Sequence, residues 1–200
     1  MKKIFFSISV LILCSCGDKK ESSLSTETIK NDSLKTSSKE NTIEEKNKTL
    51  VEEKSLDDLG FELMYSETLN DLKLGLTKIQ VGKILGEPEE VSLNEVWEAD
   101  REYHQIYFYK KLGIELDMVG DNDESKKVNM ITINRPCDFK TSRKIRIGSK
   151  ISELRNEYGQ YYNKDFSDKE TFVAGSIYGG VIFTLKNNIV ESIFIGAGAE

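Results

Sequence analysis

No aromatic residue lies between Phe6 and Phe61, whereas all eight tyrosines and the single tryptophan, Trp97, lie beyond that gap. Residues 17–58 are almost entirely Lys, Glu, Asp, Ser, Thr and Asn, with isolated aliphatic residues. Such a segment cannot bury enough apolar surface to offset the conformational entropy that ordering costs. Only the C-terminal part, about 140 residues, can therefore form a hydrophobic core, and this length suits one domain.

The N-terminus has the pattern of an export signal. Two lysines at positions 2 and 3 precede an apolar run at 4–13, which is too short to span a bilayer because spanning needs about 20 residues. Leu13 stands three residues before Cys16, and the small residue Ser15 stands just before it. This arrangement resembles the lipobox of bacterial lipoproteins; an ordinary secretory signal that contains cysteines by chance is the alternative.

The lipobox resemblance implies a domain organisation. Residues 1–15 would be the signal peptide, Cys16 would be lipidated, for example with palmitate, and residues 16–58 would form a disordered tether. Lipid chains anchor stably when two or more are present, so the membrane is one expected partner. The expected location is the cell envelope, most specifically the outer membrane.

Charge and residue counts exclude several classes of function. The chain has 28 basic and 34 acidic residues, a net charge of −6, so no large basic surface is available for nucleic acid. His104 is the only histidine, which excludes a two-histidine metal site. An EF-hand starting at Asp121 would need glycine at 126 and glutamate at 132, where Lys126 and Thr132 stand. We therefore expect no metal and no cofactor.

The sequence motifs also give little indication of a catalytic site. Removal of the signal and lipidation of Cys16 leave Cys137 as a single thiol, so the domain has no internal disulfide, and a packed cysteine is favoured over a nucleophile. His104 lies mid-strand, and no nucleophile-elbow motif is present. We expect no catalytic residues and no enzymatic activity; an envelope hydrolase is the less favoured alternative.

An internal repeat organises the C-terminal part. Segments 74–86 and 147–159 each place two glycines eleven positions apart, with an aliphatic residue before the first. Each segment predicts a short helix with an apolar face; Thr77 and Gln80 form a capping-box pattern, and Ser149 can cap the second helix. Gly86 and Gly159 stand where a left-handed C-terminal cap is favoured.

Alternating strand patterns follow each predicted helix. The closing strands share a spacing, with Val128, Ile131 and Ile133 matched by Val190, Ile193 and Ile195. The predicted fold is therefore α+β, with two tandem repeats at 59–138 and 139–200, each a short helix packed on an antiparallel β-meander. The predicted strands are 90–99, 102–109, 113–118 and 128–134 in the first repeat and 170–174, 181–185 and 189–195 in the second.

The stretch Gly-Leu-Thr-x-x-x-Val-x-x-x-Leu-Gly-x-Pro at 75–88 resembles the signature of small outer-membrane lipoproteins of the β-barrel assembly machinery. It is also similar to the tandem unit of β-lactamase-inhibitor-like proteins. The second copy lacks the threonine and the proline. The resemblance implies protein binding, often through the open face of the sheet. We expect a lipid-anchored, non-catalytic protein-binding module; an accessory structural lipoprotein of outer-membrane assembly is the alternative.

Four aromatic residues are the predicted partner-binding surface. Alternation along strand 102–109 places Tyr103, Tyr107 and Tyr109 on one face and Ile106 and Phe108 on the other. If the Ile106 and Phe108 side faces the core, the tyrosines are exposed, and tyrosine suits interfaces because its rigid ring has a polar tip. A tyrosine ladder that only stabilises the sheet is the equal alternative. The full predicted set is Trp97, Tyr103, Tyr107 and Tyr109.

Overall fold

The computed structural model describes residues 54–199, so the predicted signal, Cys16 and most of the predicted tether lie outside the described residues. This part of the chain is α+β, as expected from the sequence: short helices pack on one antiparallel sheet. The helices are α1 (Leu56–Ser66), α2 (Lys78–Leu85) and α3 (Ile151–Tyr158), with a 3-10 turn at Gly159–Tyr161. The strands are β1 (Glu90–Val91), β2 (Glu95–Val96), β3 (Tyr103–Tyr109), β4 (Ile114–Val119), β5 (Lys127–Ile133), β6 (Thr171–Ser176), β7 (Gly179–Lys186) and β8 (Ile189–Gly196).

The sheet is continuous from the first half of the domain to the second. Its strand order is β1-β3-β4-β5-β8-β7-β6, and β2 pairs with the same side of β3 as β1. The two halves join where β5 meets β8, with Ile131 opposite Ile195, Thr132 opposite Phe194 and Ile133 opposite Ile193. Each closing strand thus gains a partner, which leaves the sheet with edges only at β1–β2 and at β6 among residues 54–199.

Helix α1 was not predicted, and it begins just before the predicted domain start at 59. Ser55 caps it, since its hydroxyl accepts from the Asp58 amide at 3.1 Å. The helix packs on β6 and β7 through Gly60, where a Cβ added to the glycine would lie 2.1 Å from the Gly179 carbonyl oxygen and 2.9 Å from the Gly175 Cα. Backbone therefore approaches backbone at this crossing, which only glycine allows.

The predicted helix caps are partly confirmed. The Thr77 amide donates to Gln80 Oε1 at 2.9 Å and the Gln80 amide to the Thr77 hydroxyl at 3.3 Å, which is the expected capping box of α2. Helix α3 instead starts after Lys150, whose amide donates to Glu153 Oε2 at 2.6 Å. Neither glycine forms the predicted left-handed cap. Gly86 has φ 80° with ψ −158°, which is extended rather than left-handed helical, and Gly159 stays right-handed because the chain continues into the 3-10 turn.

The core lies between the helices and one face of the sheet, which we call the inner face. Leu63 and Met64 of α1, Val81 of α2, and Leu154 and Tyr158 of α3 are all buried there. The apolar side chains of the opposite, outer face are mostly half-buried, with Val173, 1% exposed, as an exception. Inner-face residues of the strands include Tyr107, Tyr109, Ile114, Leu116, Met118, Val128, Ile131, Ile133, Phe172, Val181, Phe183, Leu185, Val190, Ile193 and Ile195.

Candidate functional site

The predicted aromatic surface does not exist as one surface. Tyr107 and Tyr109 are each only 2% exposed and belong to the core, so the expectation that they face a partner is wrong. Tyr103 is 41% exposed at the start of β3, and Trp97 is half-buried.

The register of the neighbouring strand explains this orientation. Tyr109 pairs with Ile114 and Tyr107 with Leu116, whereas Phe108 pairs with Glu115. Paired residues in an antiparallel sheet share a face. Phe108 therefore lies on the outer face with the exposed Glu115, and Tyr107 and Tyr109 lie on the inner face with Leu116 and Ile114. Burial raises the pKa of Tyr109 to about 12, and the tyrosine hydroxyl reaches the Gly86 carbonyl at 3.4 Å.

Trp97 belongs to a polar cluster around the single histidine. The Trp97 and His104 rings stack with centroids 3.7 Å apart and planes 1° from parallel. His104 Nδ1 lies 2.9 Å from Asp117 Oδ2, and His104 Nε2 lies 2.9 Å from Asp100 Oδ2. Asn129 donates to the same Asp117 oxygen at 2.9 Å. The cluster holds the 97–102 segment onto the outer face of the sheet.

This cluster is arranged for structure rather than for proton transfer. Both ring nitrogens of His104 face carboxylates, and the ring is 1% exposed, so neither nitrogen is open to a substrate. The Asp100 pKa is lowered, first by the Glu102 amide that donates to it at 3.0 Å and then by His104. Burial raises the pKa of the Cys137 thiol, which disfavours the thiolate that a nucleophile needs.

A second buried cluster surrounds Glu67, whose side chain is fully buried. The carboxylate accepts from Arg143 Nη1 at 2.9 Å, from the Tyr158 hydroxyl at 2.7 Å, and from the Ser142 amide at 2.8 Å. The Arg143 guanidinium also lies over the rings of Tyr158 and Tyr161. Burial, and next the Glu67 charge, raise the pKa of Tyr158 far above its ordinary range. The cluster ties the end of α1 to the second half of the domain.

A largely apolar groove lies beside α1, and we call it the α1 groove. Its volume is about 600 Å³, and its polar groups come from Lys127, Asn129 and the hydroxyls of Tyr65 and Tyr178. Three large rings at its rim are substantially exposed: Phe61 at 45%, Tyr65 at 64% and Tyr178 at 47%. The remaining walls are formed by Met64, Leu74, Gly75, Val119, Val128, Ala197 and Ala199.

Other depressions in residues 54–199 are more polar. One of about 560 Å³ near the β7–β8 turn is lined mainly by charged and amide side chains, including Lys169, Glu170, Lys186 and Glu191. No group of three or more acidic, cysteine or histidine side chains in the described part could hold a metal ion. No helix within it is long and apolar enough to cross a membrane.

Comparisons with models of protein families, with curated proteins and with solved structures find no match for this chain. The candidate site therefore depends on geometry alone. The α1 groove combines a largely apolar cavity of about 600 Å³ with exposed aromatic rings, which are the features of a recognition site.

The groove residues were missed at the sequence level, although a signal for α1 was present. Leu56, Leu59, Gly60, Leu63 and Met64 follow the spacing of one helical face. A helix placed there leaves Phe61 and Tyr65 four residues apart on a neighbouring strip, and two exposed rings at that spacing indicate a contact surface. Tyr178 could not be added from sequence, because it reaches the groove only through the β6–β7 turn.

Proposed function

We propose that this protein is a lipid-anchored, non-catalytic binding module of the bacterial cell envelope, and that the α1 groove receives an apolar segment of a protein partner. The observation that carries the proposal is the rim of exposed Phe61, Tyr65 and Tyr178 around a largely apolar groove. Aromatic side chains of this kind are enriched at interface hot spots. A non-catalytic role agrees with the fully engaged His104 ring and with the raised pKa of the Cys137 thiol.

We further infer that the two halves are tandem copies of one helix-plus-meander unit. Matching backbone hydrogen bonds support this inference. The Gly75 amide donates to the Val128 carbonyl at 2.8 Å, and the Gly148 amide donates to the Val190 carbonyl at 2.8 Å. These are the glycines and valines that the repeat pattern pairs. Isolated bridges match in the same way, with Thr77 opposite Lys127 and Lys150 opposite Ile189.

Because the repeat pairs positions of the two halves, the α1 groove can be compared with the corresponding part of the second half. The position of Val128 corresponds to that of Val190, and the depression beside Val190 has a volume of only about 240 Å³. It is lined by Arg135, Lys186 and Glu191 among others, so it is charged where the α1 groove is apolar. The shared positions are 127–129 and 189–191, so the apolar walls that α1 and Tyr178 add to the α1 groove have no counterpart in this depression.

The anchor is tested by removing the modified thiol. Cys16→Ala should move the protein from the membrane fraction to the soluble fraction, because the acyl chains would be lost. Fractionation followed by mass spectrometry of the mature N-terminus measures this. Cys14→Ala is the matched control and should remain with membranes; the reverse pattern would contradict the assignment of Cys16.

The groove is tested by site-specific photocrosslinking in intact cells. A photoreactive residue at Tyr65 or at Tyr178 should give the same discrete crosslinked species, because both side chains are exposed on one groove. The same residue at Tyr162, which is 40% exposed at the β6 side, should not give it. Phe61→Ser should reduce the crosslink at Tyr65 by at least about tenfold if one aromatic anchor is lost.

Two results would contradict the groove assignment. One is equal crosslinking at Tyr162 and at Tyr65. The other is a discrete crosslink from Phe194 on the outer face, with none from the groove positions. Thermal melting of each variant shows that the domain remains folded, since all the altered side chains except Phe194 are substantially exposed.

A further inference from the structure

The β1–β2 edge, residues 90–96, exposes a row of aliphatic side chains. Both short strands pair with β3, and no strand of the described residues lies on their outer side. Leu93 is 77% exposed, and Val91 and Val96 are 42% and 50% exposed. The edge is interrupted at 92–94, where the Ser92 carbonyl accepts from Gln105 Nε2 and the Leu93 carbonyl accepts from the Ser92 hydroxyl. An extended chain can therefore add to the backbone N–H and C=O groups of β1 and of β2, on either side of Leu93.

Leu93 is held outward by its neighbours. The Ser92 amide donates to the Ile106 carbonyl at 2.9 Å, and the Ile106 amide donates to the Ser92 hydroxyl at 2.9 Å. On the other side, Asn94 Oδ1 accepts from Lys126 Nζ at 3.0 Å, and Lys126 is only 2% exposed. Both flanking residues are therefore fixed to the domain, so Leu93 is presented in a defined position and its ordering cost on binding is low.

The surroundings of this edge are acidic. Residues 87–100 contain six acidic residues and no basic one. Glu89 and Glu90 pair with lysines of the β3–β4 turn, and Asp100 pairs with His104. Glu87, Glu95 and Glu98 have no ion-pair partner within residues 54–199. A second copy of this chain on the edge would bring like charges together, whereas a basic strand would be attracted.

We propose that the β1–β2 edge binds an extended, positively charged segment of a partner protein as an added strand, with Leu93 as the apolar anchor. This surface is separate from the α1 groove, and it goes beyond the proposed function because it names a second contact and the chemistry of its occupant. Alternating apolar and basic side chains on the incoming strand would face the aliphatic row and the free carboxylates in turn.

The test uses the full chain, purified from membranes in mild detergent, and two synthetic peptides. One alternates lysine with valine and the other alternates glutamate with valine, at equal length. Trp97 is the only tryptophan of the chain and directly follows β2, so its fluorescence reports binding at the edge. The lysine peptide should bind saturably and more weakly at high ionic strength, and the glutamate peptide should not bind.

Variants locate the contact. Leu93→Lys should weaken binding of the lysine peptide at least about tenfold, since it removes the anchor and adds a like charge. Val96→Lys is a second variant on the same edge and should weaken binding in the same direction. Tyr162→Lys is the control, because Tyr162 is 40% exposed and bridges to β6 at the opposite edge of the sheet. Melting curves establish that each variant is folded.

Several outcomes would overturn the proposal. They are the absence of lysine-peptide binding, equal binding of the glutamate peptide, and unchanged affinity in a folded Leu93→Lys variant. Self-association that Leu93→Lys abolishes would also overturn it, because the occupant would then be a second copy. None of these results alters the expected crosslinks from Tyr65 and Tyr178, so the proposal for the edge and the proposal for the groove are tested independently.

Discussion

Glu67→Ala is expected to lower the free energy of unfolding by about 3–5 kcal/mol, the cost of removing one partner of a buried ion pair. The substitution removes the carboxylate that accepts from the Arg143 guanidinium and from the buried Tyr158 hydroxyl, and the Arg143 side chain is only 26% exposed. It also removes the acceptor of the Ser142 amide. Urea unfolding, monitored by circular dichroism, measures the loss.

The matched control for Glu67 is Glu62 on the exposed side of the same helix. Glu62 pairs with Lys54, and both side chains are largely exposed, so Glu62→Ala should cost less than about 1 kcal/mol. Arg143→Ala in the Glu67→Ala background should add much less than it does alone, because the two side chains share one interaction. A loss under about 1 kcal/mol for Glu67→Ala would show that the cluster does not stabilise the domain.

Gly60→Ala is expected to destabilise the domain by at least about 3 kcal/mol, the upper part of the range for overpacking. The added methyl group would lie 2.1 Å from the Gly179 carbonyl oxygen of β7 and 2.9 Å from the Gly175 Cα of β6. Both are backbone atoms, so no change of side-chain rotamer can make room. Helix α1 would have to shift away from the sheet. Thermal unfolding by calorimetry measures the effect.

Gly82→Ala makes the same chemical change but should have the opposite effect on stability. Gly82 lies inside α2, and a Cβ at this position meets no atom within 4 Å beyond its own helix. Alanine should therefore stabilise α2 by up to about 1 kcal/mol through helix propensity. Equal effects of the two substitutions would mean that the Gly60 contact does not limit packing.

The α+β class and helices α2 and α3 could be predicted because their signals are local. The Thr77 and Gln80 capping box forms as the spacing indicates, and the apolar positions Val81 and Leu154 are buried. The end of α3 was less predictable. Gly159 permits a left-handed cap but does not force one, and the following Gln160 and Tyr161 continue as a 3-10 turn.

The orientation of β3 shows how a single-strand argument fails. Strand 103–109 has apolar side chains on both faces, so alternation within it does not identify the core side. The neighbouring strand does, because Glu115 and Asp117 alternate with Ile114, Leu116 and Met118. Carrying the pairing through the turn would have buried Tyr107 and Tyr109, and it would have removed them from the candidate site.

The predicted strand 90–99 is interrupted for a reason that depends on distant residues. The Asn94 side chain accepts from the buried Lys126 ammonium, and the Ser92 hydroxyl, in place of a backbone carbonyl, accepts from the Ile106 amide of β3. The pairing with β3 is therefore interrupted between β1 and β2. Nothing near residue 94 in sequence indicates that a lysine 32 positions later is its partner. The α1 groove likewise joins segments from both ends of the domain, which local patterns do not bring together.

The junction of β5 and β8 also has a consequence for folding cooperativity. Ile131 and Ile133 are fully buried against a strand from the other half, as are Ile193 and Ile195. Either half alone would expose a long apolar strand that lacks a neighbour, so neither half is a self-sufficient folding unit. A chain cut between the two would be expected to recover its structure by complementation, each fragment supplying the missing strand of the other.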